Sequence, residues 1–130
     1  MLHHVEIYVS NIRATYAFWI KILARIGYRE TSSWEDGFTL RRKREAYLTF
    51  VQVSDKHKDH KYHRSGVGLN HIAFKIQERA DVDAMRQYCI ENSITILYDD
   101  RYPFASGIKD YYALFIEDPD RIKIEFVAGH

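Results

Sequence analysis

His4 opens the alternating stretch HVEIYV, His71 opens HIAFKI, and Glu125 stands inside the apolar stretch IKIEFV. Two neutral imidazoles and one carboxylate suit a borderline divalent ion such as Zn, Mn, Fe, Co or Ni. Three protein ligands also leave coordination positions for water or substrate, which a closed structural site lacks. Each residue has a plainer role as well. A histidine at a strand entrance can simply be hydrogen-bonded, and a glutamate can lie on a solvated face. A carboxylate inside an apolar strand needs a partner or a metal once it is buried.

Other side chains offer chemistry of a different kind. Tyr102, Tyr111 and Tyr112 flank the loop and strand facing the Glu125 strand. A phenol there can donate to a metal-bound oxygen or act as a general acid, although packing alone explains each of them and is the favoured reading. Tyr102 and Tyr112 are the preferred substrate contacts of the three. Arg101 and Lys109 could attract an anion or remain solvated. His57, His60 and His63 crowd together in KHKDHKYH, but Lys56, Lys58 and Lys61 among them oppose a nearby cation. They read as a solvated connector, and His3 and His130 receive no role. Catalytic groups proper are not assignable: the six glycines form no phosphate cradle, and neither a nucleophile elbow nor paired cysteines occur.

The elements that must position these residues follow from periodicity. HVEIYV (4–9) alternates as a strand. Ser10-Asn11 then offers an N-cap for a helix over 12–26, with Ile12, Tyr16, Trp19, Leu23 and Ile26 on its apolar face. Gly27 suits the helix end. YRETSSW, GFTLRR and AYLTFVQV follow as strands, with a tight turn at Asp36-Gly37. The polar stretch over 54–66 is an exposed connector. The order then repeats: strand NHIAFKI, a helix over 78–92 with Val82, Met85 and Cys89 on one face, and strands ITILYDD, YYALFIE and IKIEFV.

The pattern predicts an α+β fold of two tandem βαβββ units whose strands form a cupped mixed sheet. A single domain is expected over 1–130, with unit one at about 1–53 and unit two at about 67–130. Aligning YLTFV (47–51) with KIEFV (123–127) sets Thr49 against Glu125, and the first strands set His4 against His71. That registration turns three separate residues into one candidate site.

Composition narrows the function classes. The chain is 46% apolar and 28% charged, as expected of a globular protein and not of a disordered tail. Nineteen basic residues against eighteen acidic ones give no electrostatic case for nucleic acid. Apolar runs are too short for a membrane span, and no targeting peptide is evident. The single cysteine, Cys89, excludes an intrachain disulfide framework and points to a cytoplasmic location, with packing as its own role.

Three stretches, HHVEIYVSNIRATYAFWIKIL, GLNHIAFKI and YYALFIEDPDRIKIEFV, resemble the vicinal oxygen chelate superfamily over residues 2–127. That superfamily includes glyoxalase I, bleomycin-resistance proteins, fosfomycin-resistance transferases and extradiol dioxygenases. The resemblance implies that His4, His71 and Glu125 ligate a divalent metal. Glyoxalase I usually carries a further glutamate where this chain has Thr49, a poor ligand, so the pattern is closer to the transferases and dioxygenases. Gln52 lies nearby with the opposite strand parity. The family turn usually reads DPDG, whereas this chain has Arg121 in the glycine position, which costs more at positive φ. Arg121 is the third candidate substrate contact, through an anionic group.

Two functions follow from the resemblance. The first is an enzyme whose metal chelates adjacent substrate oxygens and stabilises developing negative charge, glyoxalase-, dioxygenase- or transferase-like. The second is non-catalytic sequestration of a small molecule or drug, as in bleomycin resistance, in a cleft that ten Tyr and seven Phe could line. A homodimer is also implied, with His4 of one subunit meeting His71 and Glu125 of the other.

Overall fold

Alternating side chains fold as expected into strands in the computed structural model, which describes residues 1–129. His130 lies outside the described residues. The architecture is α+β, two tandem βαβββ units each carrying its own four-stranded mixed sheet. The compact units are Met1–Lys61 and Tyr62–His130, so the division falls within the polar connector.

In the first unit, β1 (His4–Val9) leads to α1 (Ile12–Ala24), then β2 (Arg29–Trp34), β3 (Gly37–Arg41) and β4 (Tyr47–Gln52). The sheet order is β1-β4-β3-β2, with β1 parallel to β4 and the other pairs antiparallel. Asn11 caps α1 by accepting from the Ala14 N–H at 3.1 Å. Gln52 joins the same corner, accepting from Ile12 N–H at 2.9 Å and donating to the Ser10 carbonyl.

The buried stripe of α1 is Thr15, Trp19, Ile22 and Leu23, not the expected set that included Tyr16. Both stripes pass through Trp19 and Leu23. The helix ends at Ala24, so Ile26 is no longer part of it, and Ile22 takes the inward place. Tyr16 stays 41% exposed, its ring edge against Phe38. Gly27, at φ +94°, reverses the chain, and the Tyr28 N–H closes back on the Leu23 carbonyl. Gly37 is required for space: an added Cβ would meet the Phe50 carbonyl oxygen at 2.7 Å.

In the second unit, β5 (His71–Ile76), α2 (Arg79–Glu91), β6 (Ile96–Leu97), β7 (Ala113–Glu117) and β8 (Lys123–Ala128) repeat the plan in the order β5-β8-β7-β6. One sheet face packs Phe74, Leu114, Ile116, Ile124 and Phe126 into a core with Val82, Met85 and Cys89 of α2. The strand expected over ITILYDD shrinks to two residues. Tyr98 adopts a left-handed φ of 57°, which breaks strand geometry, and a 3-10 turn over Asp99–Arg101 follows. Among the described residues, no helix is long and apolar enough to cross a membrane.

Candidate functional site

Register decides what surrounds Glu125. On β8 it pairs with Ala73 of β5 on one side and Phe115 of β7 on the other. Paired residues share a face, so Glu125 projects away from α2, among Phe115, Val127, Ala113 and Ala105, with Leu97 and Tyr111 at the margin of that small apolar cluster. It is only 3% exposed. Its Oε1 is enclosed without a hydrogen-bond partner. Such a buried acceptor is costly unless something supplies positive charge or a proton.

His71 meets this carboxylate from the edge strand. Two residues before Ala73, it shares the Glu125 face, and its Nε2 lies 3.1 Å from Glu125 Oε2. The other ring nitrogen, Nδ1, lies 2.7 Å from Asn70 Oδ1. Tyr111 completes the surroundings. Burial, then a hydrogen bond to Glu125 and the negative charge of that group, push its phenol up to about 12. The hydroxyl is therefore a proton donor at neutral pH and not a base.

The first unit places different chemistry at the equivalent positions. His4 opens β1 as His71 opens β5, and it stacks on its register partner Tyr47 with ring centroids 4.8 Å apart. Its Nδ1 sits 2.8 Å from His3 Nδ1. Thr49 occupies the counterpart of the Glu125 position, opposite Thr39 where the second unit has Phe115. The two threonine hydroxyls bond each other at 2.9 Å in a buried setting. The unit-one position thus holds two hydroxyls that satisfy each other, whereas the unit-two position holds a carboxyl with one oxygen unpartnered. Gln52, tied into the start of α1, is removed from Thr49 as its parity requires.

The remaining candidates lie elsewhere. Tyr102 and Tyr112 both donate their hydroxyls to Asp83 of α2, and Arg79 and Arg86 lie over their rings. Residue 112 has the parity of Leu114 and Ile116, which pack on α2, while residue 111 has that of Ala113 and Phe115. Arg121 does take the left-handed conformation, at φ 65°, and its Nε lies 3.6 Å from Glu117. His63 accepts from the Ser65 N–H at 3.0 Å within the connector. Among the described residues, no three His, Cys, Asp or Glu side chains gather to hold a metal ion. Sequence reasoning overlooked Asn70, for which residue type carried no signal. It considered Tyr111 but preferred its neighbours, although parity with Phe115 could have singled it out.

Comparison with known proteins bears on the fold and the family. Residues 1–126 match the family described as the Glyoxalase/Bleomycin resistance protein/Dioxygenase superfamily. The chain is 42% identical over 127 residues to protein YqjT of Bacillus subtilis (strain 168), covering 98% of each. It superposes on a crystal structure from Bacillus halodurans at 43% identity with a TM-score of 0.95, over 99% of this chain and 96% of the other. A fosfomycin resistance protein from Listeria monocytogenes shares the fold at 17% identity and a TM-score of 0.73, over 100% of this chain and 91% of the other. The chain belongs to the glyoxalase, bleomycin-resistance and dioxygenase superfamily.

Proposed function

We propose that this protein is a small-molecule enzyme that uses a divalent metal to chelate adjacent substrate oxygens. The observation that carries the reading is Glu125, a buried carboxylate with one oxygen lacking any partner and the other 3.1 Å from an imidazole nitrogen. Those atoms fit a divalent ion, since both are good donors to Zn, Mn, Fe, Co or Ni. His71 and Glu125 would hold it together with His4, the latter supplied by a second copy of the chain in a homodimer. A bound ion would polarise two neighbouring substrate oxygens and stabilise negative charge between them. The chain's own groups do the rest. Tyr111 keeps its proton and offers a hydrogen bond beside the carboxylate, and Phe115 with Val127 excludes water behind it. Tyr102, Tyr112 and Arg121, committed to Asp83 and Glu117, would reach substrate only after leaving those partners. The buried cysteine accords with a cytoplasmic setting.

Metal analysis tests the reading directly. Purified protein dialysed against Zn, Mn, Fe, Co or Ni should retain a stoichiometric ion, and His71→Ala and Glu125→Gln should each abolish retention. Ligand binding that survives both substitutions in metal-free protein would instead favour sequestration of the bleomycin-resistance type.

A further inference from the structure

A histidine serves as a metal ligand through one ring nitrogen, and the partner of the other nitrogen decides which lone pair is presented. In this chain the amide oxygen of Asn70 lies 2.7 Å from His71 Nδ1. An amide oxygen only accepts, so Nδ1 carries the proton of that bond. The orientation of the amide is set from its other end, where Nδ2 donates to the Arg64 carbonyl at 3.4 Å. Turning the amide over would bring two oxygens together. Arg64 is itself anchored, its Nη1 lying 2.7 Å from Glu117 Oε2 and 3.0 Å from the Arg121 carbonyl. A continuous series of contacts therefore runs from the β7–β8 hairpin through the connector to one nitrogen of His71.

The consequence lies at the opposite side of the ring. With Nδ1 protonated in the neutral imidazole, Nε2 presents a lone pair toward Glu125 Oε2 at 3.1 Å. A cation placed between these two atoms would take both as ligands. We propose that Asn70 is a positioning residue of the metal centre: it holds the Nδ1 proton and so presents Nε2 as a ligand beside Glu125. Without it, the proton is free to move to Nε2 and form a charge-assisted bond to the carboxylate. The two ligand atoms would then satisfy each other and the site would close. This inference rests on the metal reading above and specifies how His71 is oriented for it.

The test measures Zn affinity by competition with a chromophoric chelator for wild type, Asn70→Ala and Asn70→Asp. Loss of the acceptor should weaken Zn binding by about 10- to 100-fold, the usual effect of removing such an outer partner. Asn70→Asp restores an acceptor at the same place and should bind within a few-fold of wild type. Imidazole-nitrogen NMR of the Zn-loaded wild type should show zinc on His71 Nε2 and a protected proton on Nδ1, a proton that exchanges freely in Asn70→Ala. Equal Zn affinity in wild type and Asn70→Ala, or zinc on Nδ1 in the wild-type spectrum, would overturn the role of Asn70 alone. Absence of Zn binding by wild type would overturn the metal reading and this inference together. The wild-type spectrum decides the matter even if Asn70→Ala fails to fold.

Discussion

Thr49 and Glu125 occupy the same register position in two copies of one plan, and their surroundings differ. Thr49 finds a hydroxyl opposite, whereas Glu125 finds a phenyl ring. A carboxylate kept in that position without a full set of partners costs stability, a frequent signature of functional sites. Glu125→Leu should therefore stabilise the metal-free protein, by about 1 kcal/mol, because it removes an enclosed oxygen that has no hydrogen-bond partner, while the half-exposed His71 can turn to water. Urea unfolding of metal-free wild type and variant checks this. Destabilisation of the variant by a similar amount would mean that Glu125 is already fully compensated.

At the scale of elements, α2 is fastened to the far side of its sheet by polar contacts around Asp83 and Asp99. Asp83 accepts from Tyr102 and Tyr112, and Asp99 receives two guanidinium bonds from Arg86 at 2.9 and 3.0 Å. The hydrogen bond from Tyr102, then that from Tyr112, lowers the Asp83 carboxyl below its ordinary value of 3.8, and the bond from Arg86 does the same for Asp99. A depressed carboxylate binds a proton more weakly folded than unfolded. Its contribution is thus present above about pH 4 and is lost as the pH falls through the folded value. Asp83→Asn should lose less stability than wild type between pH 5 and pH 2, measured as the fall in thermal midpoint. Parallel decline of the two proteins would remove Asp83 from the acid response. Both groups are well exposed to solvent, so added salt should shrink the difference.

For the whole molecule, the decisive question is whether His4 serves with His71 and Glu125. The homodimer reading predicts complementation. His4→Ala and Glu125→Gln chains, each unable to hold the metal, should regain it when unfolded together and refolded as a mixture. One kind of mixed dimer site then combines an intact His4 with an intact His71 and Glu125. Metal content of the mixture, measured alongside its sedimentation, reads the outcome. A site built within one chain would never recover, however the variants are mixed. Because a shared site exists only in the associated form, metal retention should also fall on dilution.

Much of the plan was legible in the residues themselves. Strict alternation in HVEIYV, HIAFKI and KIEFV identifies strands, and repetition of their order identifies the tandem units, because side-chain parity is a local property of extended backbone. The same parity placed Thr49 opposite Glu125 in the comparison of the units, and it correctly sent Gln52 elsewhere. The α1 face was read with less success, since Tyr16 and Ile22 compete for the inward position and the point where the helix ends decides between them. The sequence alone thus determined the fold, the two strand-leading histidines and the carboxylate in the last strand. Only the tertiary structure decided that Tyr111 bears on that carboxylate while Tyr102 and Tyr112 bind α2, and that Asn70 takes one nitrogen of His71. Those contacts depend on the exact phase at which a loop enters a strand and on a connector anchored by Arg64. They are set by packing between segments distant along the chain, which no local periodicity encodes.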